Sequence, residues 1–288
     1  MKKKLLATTF AAMMFAAPTV SLAAPGDYWD LDDAKNSDLK KEVEETGSAD
    51  ITDLTVSVKG GEGEPKPGIV RKDKVTIIQT PDKMEFTKDQ TPTDSKWLVK
   101  GHDAKNTHWY VGVLNDKESE TEGNEGKGAQ WSFTAEFSGL TKVGGLVDYK
   151  NDGTYVGLQT KELYDYNPGA RDANGEFGKD GKIAAAQTNA PGQPGYLTKL
   201  SDSEIVSKNV SFSKTEGSKK LKLERQNPVA IMSAKDGSEL GGYMTEIESA
   251  ALYLPEDKES GDYKGQIKWS MSDTLITVGT PEDIDVTN

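Results

Sequence analysis

Apolar residues recur at every second position along much of this 288-residue chain, and no long segment places them at helical spacing. Trp131, Phe133, Ala135 and Phe137 alternate with Ser132, Thr134, Glu136 and Ser138. Ile267, Trp269 and Met271 alternate with Gln266, Lys268, Ser270 and Ser272. The same beat runs through Leu54, Val56 and Val58, through Trp109, Val111 and Val113, and through Val210 and Phe212. It continues in Leu221 and Leu223 and in Ala250, Leu252 and Leu254, and Lys74 to Gln79 reads as a further strand. Successive side chains of a strand point to opposite faces, so strict alternation builds a surface with one buried side. Gly, Asn, Asp and Pro fill the stretches between, as turns require. About ten to twelve strands without a long helix predict an all-β fold, a mainly antiparallel β-sandwich with long loop insertions.

The alternation begins after residue 50. Before it, Lys2, Lys3 and Lys4 precede an uncharged apolar run from Leu5 to Ala17, Pro18 breaks the run, and Ser21-Leu22-Ala23 supplies small residues. This layout predicts a secretory signal peptide over residues 1–23. The run is shorter than the ~20 apolar residues of a membrane span, and no later stretch reaches that length, so no direct membrane insertion is expected. Residues 24–50 read as a flexible acidic N-terminal segment, in which Tyr28 and Trp29 stand out as adjacent aromatics. Residues 51–288 are expected to form one β-domain. Within it, Asn115–Gln130 holds Glu, Gly and Lys with little that is apolar, which predicts a disordered loop. Residues 166–193 carry Asn167-Pro168-Gly169, Asn174-Gly175, Asp180-Gly181 and Pro191-Gly192. Flanked by Tyr164, Tyr166 and Tyr196, this second stretch is expected to be a binding loop.

The chain lacks the groups that most catalysis needs. It has no cysteine, which removes disulfides, thiolate metal sites, thiol nucleophiles and a lipid carried on a thiol. No hydrophobic tail with basic residues follows Leu254-Pro255, so retention on a cell is expected to rest on non-covalent contacts. Only His102 and His108 are present, and no Gly-x-Ser-x-Gly turn or phosphate-binding loop occurs. Two histidines supply at most part of a zinc site. With 47 carboxylates, chance pairs are common and no distinctive glycosidase pair stands out. Asp172-Ala173-Asn174-Gly175 begins like a calcium loop, yet Phe177 occupies the sixth position, where that loop needs glycine. The net charge of −12 argues against nucleic acid and against anionic lipid surfaces. A protein without catalytic residues, cofactor or metal is expected.

Two tryptophan strands far apart in the chain carry the most specific signal. One spans Gly128-Ala129-Gln130-Trp131-Ser132-Phe133-Thr134-Ala135. The other runs from Gly261-Asp262-Tyr263-Lys264-Gly265 through Gln266-Ile267-Lys268-Trp269 to Ser270-Met271-Ser272-Asp273. Each sets tryptophan two residues before an apolar side chain on the same face. Such a stripe normally faces a core. An exposed aromatic shelf that stacks on the C–H faces of sugar rings is the alternative. Trp97 and Trp109 are candidates for either role.

These residues resemble the WxL domain family of Gram-positive surface proteins, named for two Trp-x-Leu motifs, the second near the C-terminus after a Gly-x-Tyr-x-Gly turn. Ile231 to Ser238, Gly241-Gly242 and Ala250, Leu252 and Leu254-Pro255 are similar to that family's approach to its last strand. Phe133 and Met271 stand where the family has leucine, and both are apolar and of workable size. The resemblance implies non-covalent attachment to the cell wall through peptidoglycan. It also implies partners among other cell-surface proteins, including a membrane-anchored companion. Trp131, Phe133, Trp269 and Met271 would be the wall-binding or core motif, and Tyr164, Tyr166 and Tyr196 further loop contacts. The other readings are a protein–protein interaction component without direct glycan binding, and a secreted glycan hydrolase.

Overall fold

A computed structural model describes residues 49–56, 66–67, 72–81, 83–88, 96–99, 109–142, 153–173, 175, 177, 183–186, 190–253 and 263–284. The expected signal peptide, nearly all of the acidic segment, Leu254 and both histidines lie outside them. The first strands are β1 (Ala49–Val56), β2 (Lys66–Pro67), β3 (Val75–Thr80), β4 (Lys83–Lys88) and β5 (Lys96–Val99). Longer strands follow in β6 (Trp109–Asn115), β7 (Trp131–Lys142) and β8 (Tyr155–Tyr166). Then come β9 (Leu197–Lys199), the helix α1 (Asp202–Ser207), β10 (Val210–Phe212), β11 (Lys219–Leu223) and β12 (Val229–Ala234). The last are β13 (Gly241–Tyr253), β14 (Tyr263–Ser272) and β15 (Glu282–Asp283).

The strands make two sheets packed face to face, an all-β sandwich. One sheet has the order β10-β12-β7-β14-β1-β4 and holds both tryptophan motifs. The other runs β2-β3-β6-β13-β8, with β9 and β11 each pairing with part of β8. β5 pairs with β4 on one side and with the end of β13 on the other, so it joins the two sheets at a corner. Pairing among these strands is antiparallel except for β1 with β4, which is parallel.

Alternation seats the core as the sequence predicts. Trp131, Phe133, Ala135, Phe137, Ile267 and Trp269 are each fully buried between the sheets. Opposite them lie Val111 and Val113 of β6, Tyr243 and Ile247 of β13, Val156 and Leu158 of β8, and Leu221 and Leu223 of β11. The polar face of β7 departs from expectation, because Ser132, Thr134, Glu136 and Ser138 are buried too. Each has a hydrogen-bond partner that makes burial tolerable. Ser132 Oγ donates to the Thr274 carbonyl at 2.9 Å and accepts from Ile276 N at 2.7 Å. Thr134 Oγ1 donates to the Ser270 carbonyl, Glu136 Oε1 accepts from Gln226 N, and Ser138 Oγ accepts from Gln266 N.

Residues 273–284, after β14, form a strap that supplies part of this cover. Gln130 Nε2 donates to the Asp273 carbonyl, Val278 bridges Ala230 of β12 in parallel, and Gly279 N donates to the Ala230 carbonyl. The strap ends as β15, antiparallel to Lys219 and Lys220 of β11. It thereby links the tryptophan sheet to the second sheet.

Several elements escaped the sequence pattern. β8 breaks its own alternation: Val156 and Leu158 face the core, and after register shifts against β13 so does Leu163. The bulges move the apolar set by one residue, which hides the strand from a strict period of two. α1 is held by a capping box: Ser201 Oγ accepts from Glu204 N, and Ser201 N donates to Glu204 Oε2 at 2.8 Å. The Asn115–Gln130 loop, expected to be disordered, is folded. Gly128 bridges both Glu118 and Ser238, and Gly128 N donates to the Ser238 carbonyl at 2.7 Å.

Gly265 shows why the turn ahead of β14 needs glycine. A Cβ there would press on the Gly139 carbonyl oxygen and lie 3.0 Å from Leu140 Cδ2 and 3.2 Å from Phe137 Cε2. The β7–β14 ladder shifts register just beyond it, between Gly265 and Ile267. Gly265→Ala is expected to lower the unfolding free energy by about 1–3 kcal/mol, the usual cost of overpacking. Urea unfolding should show a lower midpoint at unchanged slope, and an unaltered midpoint would refute the close approach.

Candidate functional site

The two tryptophan motifs, some 130 residues apart in sequence, meet as neighbouring strands. In the β7–β14 ladder Met271 pairs with Phe133 and Trp269 with Ala135. Met232 of β12 pairs with Phe133 from the other side, so Met232, Phe133 and Met271 form one row across three strands. Trp269 stacks on Phe133, with ring centroids 5.6 Å apart and planes 17° from parallel. Trp131 reaches across the sandwich to Tyr243 of β13, with centroids 6.1 Å apart. The Tyr243 hydroxyl is fixed by donating to the Glu239 carbonyl at 2.8 Å.

Both tryptophans have 0% exposure, as does Phe133, and Met271 has 4%. Of the two roles open to these side chains, the structure places them in the core. No face of either indole is available to a sugar ring. Trp109 is partly buried against the same core. The backbone of Trp97 lies in β5, and its side chain falls outside the described residues.

The second candidate group sits on the outer face of the second sheet. Ile78, Tyr110, Leu114, Tyr166, Leu197 and Met244 form a smaller apolar cluster there. Residues of the 166–193 stretch fold down onto it: Ile183 is buried, and Phe177 and Ala186 are partly buried against it. Tyr166 donates its hydroxyl to the Ala184 carbonyl at 2.6 Å, and Ala186 N donates to Gln79 Oε1 at 3.0 Å. Tyr164 meets Tyr110 edge-on at 5.9 Å and donates to Glu246 Oε2 at 3.4 Å. Tyr196 stands at the neck of the stretch, where its carbonyl accepts from Asn167 N and its N–H donates to the Gln193 carbonyl. Tyr164 and Tyr166 thus share the apolar cluster, whereas the bonds that hold Tyr196 are those of its backbone. Burial and the nearby Glu246 push the Tyr164 phenol up to about 12, and burial raises Tyr166 as well. Both stay protonated near neutral pH and serve as hydrogen-bond donors.

Arg171 locks the same stretch to the sheet. Its guanidinium pairs with both oxygens of the buried Asp116 and donates to the Gly175 carbonyl at 2.7 Å. It also lies 4.1 Å from the Phe177 ring centroid. This cation–π contact accounts for the phenylalanine where a calcium loop needs glycine. Asn174 and Asp180 fall outside the described residues, and among those described no cluster of three His, Asp or Glu side chains could hold a metal.

Asp236 is the residue that sequence reasoning missed in the 115–130 loop. Its carboxylate accepts from the side chains of Ser119, Thr121 and Asn124, the last at 2.7 Å. These bonds favour the charged form and hold its pKa below the ordinary aspartate value. The signal was present as Asp236-Gly237, a turn pair facing a loop full of short polar side chains.

Comparison with protein-family models, with curated proteins and with solved structures finds no significant match to this chain.

Two measurements check this geometry. Trp131→Ala and Trp269→Ala should each cost about 3–5 kcal/mol of stability, read from chemical unfolding, because each empties a fully enclosed site. A change below ~1 kcal/mol in either would contradict core packing. Asp236 gives a pH dependence. A carboxylate whose folded pKa is depressed stabilises the folded loop above its unfolded pKa, and the contribution fades as pH falls through the folded value. Amide protection in residues 118–128, taken relative to the intrinsic exchange rate at each pH, should therefore fall on the acid side of the ordinary aspartate range in the native chain. Asp236→Asn should abolish that pH step; persistence of the step in the variant would assign it to another group.

Proposed function

We propose that this chain is an exported surface protein that attaches non-covalently to a Gram-positive cell wall, through peptidoglycan, as a non-catalytic module. One observation carries the reading: the two Trp-x-apolar motifs that resemble the WxL family lie side by side in one sheet, with Trp269 stacked on Phe133. Residues so far apart in sequence that share a single packing unit behave as a matched pair, as a two-motif family requires. The secretory layout of residues 1–23 and the absence of cysteine accord with export and with attachment that needs no thiol-borne lipid.

Burial of the motif changes what it does in this reading. Trp131, Phe133, Trp269 and Met271 shape the sandwich, and wall contact falls to side chains outside the core. Loss of wall binding in a tryptophan variant then reports unfolding.

The second reading is a protein–protein interaction component of a surface complex. The covered outer face of the second sheet favours it, since Tyr166, Phe177, Ile183 and Ala186 of the 166–193 stretch are spent on internal packing and leave sheet edges as contact points.

Sedimentation with purified peptidoglycan, stripped of proteins and teichoic acids, separates the two. Co-sedimentation of the folded chain, with and without EDTA, is the expected result. A chain that stays in the supernatant under both conditions sinks direct wall attachment and leaves a protein partner as the basis of retention.

A further inference from the structure

The described strand with the most positive charge in this acidic chain is β11, with three lysines and no acidic residue. Residues 214–225 hold Lys214, Lys219, Lys220, Lys222 and Arg225 against Glu216 and Glu224, whereas the whole chain has 47 acidic and 35 basic residues. β11 lies at the centre of this stretch. Its residues 221–223 pair with β8, and Lys219 and Lys220 pair with the end of the strap, opposite Asp283 and Glu282 respectively. An acidic residue stands opposite a basic one at both positions of the register, the Lys220 ammonium donates to the Ser218 carbonyl, and Ser218 Oγ is hydrogen-bonded to Asp283 Oδ1 at 3.2 Å.

The end of the strap is attached lightly, in contrast to its first part on β7 and β12. Its ladder on β11 is two residues long, and Glu282 and Asp283 are both exposed. Before the ladder, Gly279 is held by its N–H to the Ala230 carbonyl and by Ser213. After it, among the described residues, Ile284 provides an apolar anchor, buried against Ala251 and Tyr253 with Tyr155 beside them. Short backbone pairing, charges in register and one apolar seat are the ingredients by which a sheet edge takes up an extended peptide. Segments with so few buried contacts open at a small fraction of the global unfolding free energy.

We propose that the β11 edge at Lys219 and Lys220, with the Ala251–Tyr253 seat next to it, is a docking site for an extended acidic segment of a partner protein, and that β15 is its built-in occupant. The partner's form follows from that occupant: two consecutive acidic residues and then an aliphatic side chain, paired antiparallel to β11. A ligand in trans must displace the strap, so the closed strap lowers the ligand's apparent affinity by the fraction of molecules in which the edge is free. The proposal is independent of wall attachment, because the edge and its occupant are both within this chain.

The test uses the full chain and a fluorescent peptide with the sequence of residues 278–288, followed by anisotropy. Glu282→Lys combined with Asp283→Lys sets like charges against Lys219 and Lys220 and should free the edge. This variant is expected to bind the peptide about tenfold or more tightly than the native chain does, since the native strap competes at high effective concentration. Binding should weaken as salt is raised. Adding Lys219→Glu and Lys220→Glu to the variant should remove peptide binding. Near-UV circular dichroism from the buried tryptophans verifies folding of each form. A folded Glu282→Lys, Asp283→Lys variant that does not bind the peptide overturns the proposal. So does one that dimerises while rejecting the peptide, which would assign the edge to a second copy. No wall material enters the assay, so its failure leaves the attachment reading untouched.

Discussion

The pairing of β7 with β14 is the contact on which the sandwich depends. It brings Trp269 onto Phe133, lines up Met232, Phe133 and Met271 across three strands, and aims Trp131 at Tyr243 in the facing sheet. Trp131, Trp269 and Tyr243 are among the largest fully buried side chains of the described residues, and large buried aromatics dominate the apolar area a small β-domain removes from water. Everything outside this seam is arranged around it. The strap covers Ser132 on the far side of β7, Glu136 is satisfied by Gln226, and Gly265 lets β14 approach closely enough for the stack to form.

Both outer faces are partly enclosed, which sets this chain apart from a sandwich with two solvated faces. The strap screens polar residues of the tryptophan sheet, and the stretch after β8 screens apolar residues of the second sheet. The two covers work by different physics. The first satisfies hydroxyl and carboxylate groups through backbone donors and acceptors. The second buries Ile183 and Tyr166 and is fixed by the Arg171–Asp116 pair. Long insertions that look dispensable in a polar sequence are thus part of the packing.

Legibility in the sequence followed the regularity of the strand. β6, β7, β14 and the end of β13 announced themselves because each keeps one apolar face over several residues. β8 did not, because its bulges shift Leu163 onto the face that Val156 and Leu158 occupy earlier. α1 is only six residues long and is marked by Ser201 and Glu204 alone, too little for a periodic signal. At the candidate site the sequence identified the tryptophan pair but left its role open, since alternation gives a common face without saying what covers it. The order of the 115–130 loop was hidden because it depends on Asp236, more than a hundred residues away, and charge-rich composition alone reads as disorder.

The position of β14 has a consequence for how the chain reaches its final form. β14 lies between β1 and β7, pairing with Ala49–Val56 on one side and with Lys142 to Ser132 on the other. The centre of the tryptophan sheet is therefore completed by a strand made well after both of its neighbours. Until then β1 and β7 have no common neighbour, and the widest aromatic contacts wait on ring closures spanning roughly half the chain or more. Such long-range closure slows folding and keeps unpaired edges open for longer. Assembly of this sandwich therefore waits on β14, and β1 and β7 stay without their shared partner until it has been made.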